Sequence, residues 1–230
     1  VPQNRGWIML ELLTSETPNG WKTSICLEEL GVPYKVTPIS LSAQDQKRPE
    51  FLALNPNGKI PVLVDHDAGG FAVFESGAIL TYLAEKFGRF LPSDAQGRSA
   101  VLQWVFWQVG GLGPMMGQAT VFNRYFPEKI PAVIERYTRE SRRLLGILDA
   151  ELASREYIAG DYSIADMAIF PWAQGAGWAG IDIADLPHLN RWMDGLRARP
   201  AVQRGLLIPT PPTPEEMAAK TTAQGKAILA

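Results

Sequence analysis

The sequence predicts a small α/β domain followed by an all-helical domain, and three observations carry that prediction. Strand-type and helix-type patterns alternate up to about Leu91 in the order βαβ-α-ββα, the patterns beyond it are helical only, and glycine or proline stands where the patterns change. The expected limits are residues 1–91 for the α/β domain, 92–209 for the helical domain and 210–230 for an extended or mobile tail.

Apolar alternation at Ile8, Leu10 and Leu12 predicts the first strand. Thr17-Pro18-Asn19-Gly20 then opens a helix whose apolar positions Ile25, Leu27 and Leu30 lead to a stop at Gly31, with Pro33 just beyond. Tyr34 to Ile39 reads as the second strand and Glu50 to Leu54 as a short helix. Pro61 to Val64 and Phe71 to Phe74 are two more strands, joined by the turn Asp65-His66-Asp67-Ala68-Gly69-Gly70. A helix from Ser76 to Phe87 has Gly88 as its natural end.

After Leu91-Pro92-Ser93, helices are predicted near Ala95 to Gln118, Pro131 to Ala153, Ile164 to Gly177 and Leu186 to Arg197. Pro114 lies inside the first of them and predicts a kink. Ser163 followed three residues later by Asp166 is a capping box with Asp in place of Glu or Gln. Pro211-Pro212-Thr213-Pro214 marks the expected end of the compact body.

Composition narrows the function classes. The chain has 230 residues, 46% of them hydrophobic, which is ample for burying cores. A net charge of -2 and scattered Lys and Arg argue against nucleic acid as a partner. The apolar stretch from Val101 to Met116 is broken by Gln103, Gln108, glycines and Pro114, so no membrane span is expected. No N-terminal segment has the order of a secretory signal, and one cysteine forms no internal disulfide; both fit a cytoplasmic location. His66, flanked by Asp65 and Asp67, is far in sequence from His188, with no ligand set at metal spacing, so no metal is expected. Gly110 to Gly117 lacks GxGxxG and follows an aromatic helical run, which excludes a dinucleotide loop.

Three turns carry the candidate chemistry. Phe74-Glu75-Ser76-Gly77 opens a helix, where free N–H groups and partial positive charge receive a carboxylate while the neighbouring glutamate takes an ammonium. Asn57-Gly58-Lys59-Ile60-Pro61-Val62 precedes a strand and offers the Ile60 backbone to an extended peptide. Thr17-Pro18-Asn19-Gly20 starts another helix, where a hydroxyl or an amide can donate to a sulfur anion. Together they suit a small zwitterionic peptide. Each also has an ordinary explanation: a good helix start at Thr17, a serine N-cap with an acidic neighbour at Glu75-Ser76, and a solvated lysine at Lys59.

A small α/β domain, an all-helical domain and these motifs in this order resemble the soluble glutathione transferases, over nearly the whole chain to about Pro209. Asn57-Gly58-Lys59-Ile60-Pro61 and Glu75-Ser76-Gly77 occur across many classes of that superfamily. Thr17-Pro18-Asn19-Gly20, Gln46-x-Arg48-Pro49-Glu50-Phe51 and the run from Trp104 to Met115 are narrower. They resemble the bacterial nu class and its fungal nitrogen-regulatory prion-type relatives. The resemblance implies a thioredoxin-like N-terminal domain, a cis bond before Pro61, a homodimer, and glutathione, reduced or as its disulfide, as co-substrate. It implies a disulfide-bond reductase that uses the thiolate of bound glutathione. The alternatives are conjugation of glutathione to hydrophobic electrophiles and a non-catalytic regulatory module. The regulatory relatives carry an Asn/Gln-rich N-terminal extension that this sequence does not show, and Thr17, Asn19, Glu75 and Ser76 are present; both features favour the enzyme.

The site expected on this basis has Thr17 and Asn19 as thiolate donors and Gln46, Lys59, Ile60, Glu75 and Ser76 as further glutathione contacts. Arg136 is the candidate arginine that crosses the cleft from a helix face also carrying Arg139 and Arg143. A free thiol ionises at roughly 8.5, so lowering it by about two units needs on the order of 2–3 kcal/mol. One hydrogen bond to a charged group supplies about 1.5–3 kcal/mol and a helix start roughly 0.3–1. Thr17 or Asn19 at a helix N-terminus is therefore sufficient. Cys26, between Ile25 and Leu27 well inside a helix, is expected as a small buried apolar residue and not as a nucleophile.

Overall fold

The computed structural model describes residues 9–210. Ile8 and the tail predicted beyond Thr210 lie outside the described residues. A four-stranded mixed sheet of order β2-β1-β3-β4 is built from β1 (Leu10–Thr14), β2 (Tyr34–Pro38), β3 (Val62–Asp65) and β4 (Phe71–Phe74). β1 runs parallel to β2 and antiparallel to β3, and β3 pairs with β4 as a hairpin. The parallel pair requires a crossover, supplied by α1 (Pro18–Leu30). β1 continues two residues past the predicted end at Leu12. It is a central strand covered on both faces, so Leu13 and Thr14 are as buried as Leu12 and alternation no longer marks the limit.

Thr17 caps α1 and Gly31 ends it in the left-handed region at φ 68°. A 3₁₀ turn at Asp45–Lys47 leads into α2 (Pro49–Leu54), and α3 (Ser76–Phe87) ends at Gly88, also left-handed at φ 63°. This is the thioredoxin-like arrangement the resemblance implied.

The second half is helical. α4 (Ala95–Trp107) passes into a π-helical segment, Gln108–Leu112, then α5 (Gly113–Thr120) and a second π segment, Val121–Tyr125. The predicted helix from Ala95 to Gln118 is thus longer, and the irregularity expected at Pro114 takes the form of a wide turn just before it. Proline has no N–H and its ring crowds the carbonyl four residues back, here that of Gly110, so a locally wider helix accommodates it. α6 (Pro131–Leu152), α7 (Ile164–Ala173) and α8 (Pro187–Arg197) match predicted helices, with α7 four residues shorter than expected. The chain leaves α7 in tight turns, Gly175 N–H bonding to the Trp172 carbonyl and Ala176 N–H to that of Ala173. α9 (Pro200–Leu206) has no counterpart among the predicted helices, because seven residues are too few to establish a period. The capping box is present: Ser163 Oγ accepts from Ala165 N–H and the Asp166 carboxylate accepts from Ser163 N–H at 3.0 Å.

One core runs through both halves, from Leu10, Leu12 and Ile25 through Val101 and Val105 to Leu189 and Leu196. A smaller cluster of Leu13, Ile39, Phe51, Val62 and Val64 fills the other face of the sheet. α1 is the shared element, packed against α3, α7 and α9. At the α1–α9 crossing the backbones nearly touch. A Cβ on Gly205 would lie 2.7 Å from the Ile25 Cα, and Ser24 Oγ donates to the Gly205 carbonyl at 2.7 Å. Glu28 and Glu29 hold Arg204 and Arg199 across the same contact.

Candidate functional site

The N-termini of α1 and α3 and the loop before β3 converge on a cleft of ≈ 150 Å³ lined by Asn19, Asn55, Asn57, Lys59, Ile60, Pro61, Glu75 and Ser76. The Ile60–Pro61 peptide bond is cis. Asn55, nearly fully buried, shapes this loop: its Nδ2 donates to the Lys59 carbonyl at 2.6 Å and its Oδ1 accepts from Asn57 N–H at 2.9 Å. Asn55 thus ties the Lys59 carbonyl and the Asn57 N–H inward, while among the described residues none hydrogen-bonds the Ile60 backbone. Gly58 turns the chain at φ 61°, a conformation costly for residues with a side chain.

Asn19 enters the cleft from the first turn of α1. Trp172, from α7, donates its indole N–H to Asn19 Oδ1 at 3.0 Å. An indole nitrogen only donates, so the amide oxygen must face it and the Asn19 NH₂ is left to donate elsewhere. Gly20 lets the chain turn in so closely: a Cβ there would stand 2.2 Å from the Ser15 carbonyl oxygen. Thr17 is not part of the cleft lining. It caps α1, its Oγ1 accepting from Gly20 N–H at 3.1 Å, which leaves its hydroxyl hydrogen free to donate.

Glu75 holds φ 70° and ψ 118°, a sparsely populated conformation for a residue with a Cβ, which costs about 1–3 kcal/mol. Its side chain is exposed beside the cleft and Ser76 is buried at the first position of α3. Beneath them lies Lys22, to which the sequence pattern assigns no role. It is 1% exposed, and its Nζ donates to Ser76 Oγ at 3.2 Å and to Gln108 Oε1 at 2.5 Å. Burial pulls its amine down to about 7, against a smaller opposing pull from the Glu75 carboxylate.

Of the predicted site residues, Asn19, Lys59, Ile60, Glu75 and Ser76 come together in the cleft. Gln46 is buried behind it in the 3₁₀ turn, its carbonyl 3.0 Å from where a Gly58 Cβ would be and its Oε1 without a hydrogen-bond partner. Arg136 is exposed on α6, where its charge, after that of Arg143, favours the ionised Glu140 carboxyl; it does not line the cleft. Cys26 is fully buried in the core, and burial, with Glu29 adding to it, pushes its thiol up to about 12, the opposite of an activated nucleophile. Among the described residues no cluster of His, Cys, Asp and Glu suits a metal, and no helix is long and apolar enough to cross a membrane.

Residues 17–86 match the glutathione S-transferase N-terminal domain and residues 114–200 the C-terminal domain. The chain belongs to the glutathione S-transferase family. The disulfide-bond oxidoreductase YfcG of Escherichia coli is 46% identical over 204 residues, covering 86% of this chain and 95% of that protein. YghU of the same organism, also a disulfide-bond oxidoreductase, is 42% identical over 214 residues, covering 86% and 74%. A glutathione transferase from Burkholderia graminis, solved with two glutathione molecules per subunit, has a TM-score of 0.84 at 45% identity and covers 88% of this chain and 89% of its own. One from Pseudomonas putida, with one glutathione disulfide per subunit, has a TM-score of 0.82 at 43% identity, covering 87% and 91%. Fungal Ure2 proteins are more distant, at 32% identity over 229 residues for that of Eremothecium gossypii. The nu-class and Ure2 resemblance is thereby borne out.

Proposed function

We propose that this chain is a glutathione-dependent disulfide reductase that works through the thiolate of bound glutathione. The observation that carries this reading is the oriented Asn19 amide, a donor at a helix N-terminus in a cleft whose other wall is built for a peptide. The γ-glutamyl ammonium goes to Glu75 and its carboxylate to Ser76 and the start of α3, the cysteinyl backbone pairs with Ile60, and the sulfur rests near Asn19 and Thr17. Lys59 and Gln46 complete the contacts, and Arg136 is the candidate for a longer-range pairing with a glutathione carboxylate.

The glutathione thiolate attacks one sulfur of a substrate disulfide, forming a mixed disulfide and releasing the other sulfur as thiolate. A second glutathione thiolate attacks the glutathione sulfur of that mixed disulfide, giving glutathione disulfide and the second substrate thiol. Two glutathione molecules supply the two electrons, and no protein sulfur takes part. Relatives bound to two glutathione molecules, or to one glutathione disulfide, match the two ends of this sequence. Parallel rate assays with a small disulfide and with a chloronitrobenzene, each with glutathione, test the reading. Faster turnover of the disulfide is expected, and faster conjugation overturns it in favour of transferase chemistry.

A cytoplasmic homodimer completes the proposal. Phe71 and Phe74 on β4 and Phe106 on α4 are exposed, large apolar side chains of the sort a subunit interface covers. Light scattering at micromolar protein is expected to give twice the chain mass, and a monomer mass counts against it.

A further inference from the structure

A lysine with almost no exposed surface is an expensive thing to keep. Taking an ammonium out of water costs several kcal/mol unless a counter-charge repays it, and Lys22 belongs to no ion pair among the described residues. Its hydrogen bonds go to two neutral groups, Ser76 Oγ from the N-terminus of α3 and Gln108 Oε1 from the π segment after α4. Other charges near α1 are engaged elsewhere: Arg199 and Arg204 by Glu29 and Glu28 at its C-terminal end, Asp166 by the Ile158 and Ser163 N–H groups and the Trp192 indole. Glu75 is the charge that acts on the amine, and in the proposed complex it is committed to the ligand's ammonium.

The hydroxyl of Ser76 links this amine to the cleft. A serine oxygen that accepts from an ammonium keeps its own hydrogen to donate, and the polarised O–H is a stronger donor than an isolated one. We propose that Lys22 is a positioning residue of the cleft: it aims the Ser76 hydroxyl hydrogen at an incoming carboxylate and supplies the positive charge that carboxylate neutralises from below. The proposal rests on glutathione binding as described above and adds a charge beneath its γ-glutamyl end. An anion seated on Ser76 then favours the protonated amine, so binding and proton uptake are linked.

The sign follows from the geometry. With the amine near 7 in the empty cleft, Lys22 is mostly neutral at pH 8 and mostly charged at pH 6. An anion that raises its proton affinity draws in most of a proton at pH 8 and little at pH 6. S-Methylglutathione is a suitable probe, because it carries the γ-glutamyl group and has no thiol to release a proton of its own.

The experiment is calorimetric titration of the full chain with S-methylglutathione at pH 6 and pH 8, in two buffers of different ionisation enthalpy, for wild type, Lys22→Met and Glu75→Ala. Wild type is expected to take up most of a proton at pH 8, and Lys22→Met none beyond the ligand's own amine. At pH 6 Lys22→Met should bind about ten-fold more weakly, the size of a lost charge-assisted hydrogen bond. With saturating glutathione its disulfide reductase kcat should remain within about two-fold while KM for glutathione rises. No proton uptake by wild type at pH 8 overturns the proposal, and needs no variant to fold. Wild-type affinity in Lys22→Met alongside weak binding by Glu75→Ala overturns the role of Lys22 but leaves the site standing. Wild-type affinity in both variants overturns the site itself.

Discussion

Trp172 and Asn19 are 153 positions apart in the chain and joined by a 3.0 Å hydrogen bond that decides which end of the Asn19 amide faces the cleft. The helical half of the molecule therefore sets a donor in the α/β half. Trp172→Phe keeps most of the packing and removes the indole N–H, so the amide is free to rotate. Disulfide reductase kcat is expected to fall roughly 3- to 10-fold, the effect of about one hydrogen bond, with little change in KM for glutathione. Steady-state kinetics at saturating glutathione measure this, and an unchanged kcat would mean that the amide's orientation is fixed by other contacts.

Cys26→Ala tests whether the reacting sulfur is glutathione's own. Removing a buried sulfur leaves a small cavity and is expected to cost about 1–2 kcal/mol of stability with reductase activity retained. Asn19→Ala and Thr17→Ala should instead slow the reaction and raise the apparent pKa of its pH profile if that residue stabilises the thiolate; the double mutant is needed because the two can share the role. Loss of activity in folded Cys26→Ala, with both donor variants near wild type, would place the nucleophile on the protein.

The left-handed backbone of Glu75 makes a separate prediction about stability. Glycine, with no Cβ, tolerates a positive φ better than alanine does, so Glu75→Gly should be more stable than Glu75→Ala by about 1 kcal/mol, although both lose the carboxylate. Both should weaken glutathione binding. Urea denaturation gives the difference, and an alanine variant as stable as the glycine one would show that the backbone relaxes at no cost.

Lys22 also links stability to pH. Its amine is held near 7 in the native protein against an ordinary 10.5, so the unfolded chain binds more protons between those values. The stability this group contributes is full above about 10.5 and is lost as pH falls toward about 7, at no more than about 1.4 kcal/mol per pH unit. Wild type should therefore gain on Lys22→Met as pH rises through that window, in denaturant titrations at pH 7 and pH 9.5. Cys26 is present in both proteins, so its own titration cancels in the comparison. A constant difference between the two would mean that the amine is charged in the native state throughout.

The sequence was most informative where one local rule decides the outcome. Thr17 and Gly31 bound α1, Gly88 ends α3, and Ser163 with Asp166 opens α7, because caps and left-handed glycines act within a few residues; the serine cap expected at Ser76 is not formed, since Ser76 is the first helical residue and its Oγ accepts from Lys22. Asn19, Lys59, Ile60, Glu75 and Ser76 were legible for the same reason: each sits in a turn with its own signature. Lys22, Gln108 and Trp172 were not. A lysine in an amphipathic helix reads as a solvated charge, and only the packing of α1 under α3 and against the π segment buries it. Asn55 carries no signature of its own in the sequence, because its two hydrogen bonds close a turn that exists only once the chain has folded. α9 carries no period of its own and is recognised by what it packs on.

The near-contact of Gly205 with Ile25 bears on how such proteins can be recombined. The sheet half and the helical half look like separate cassettes, yet α9, the last described helix of the second, is seated on α1, the first described helix of the first, with no room for a methyl group between them. A hybrid that takes its first half from one relative and its second from another must therefore match at α1 and α9 before it can match anywhere else. The seam to preserve in shuffling is this helix crossing, where Ile25 and Gly205, far apart in the chain and on opposite sides of the cut point, meet.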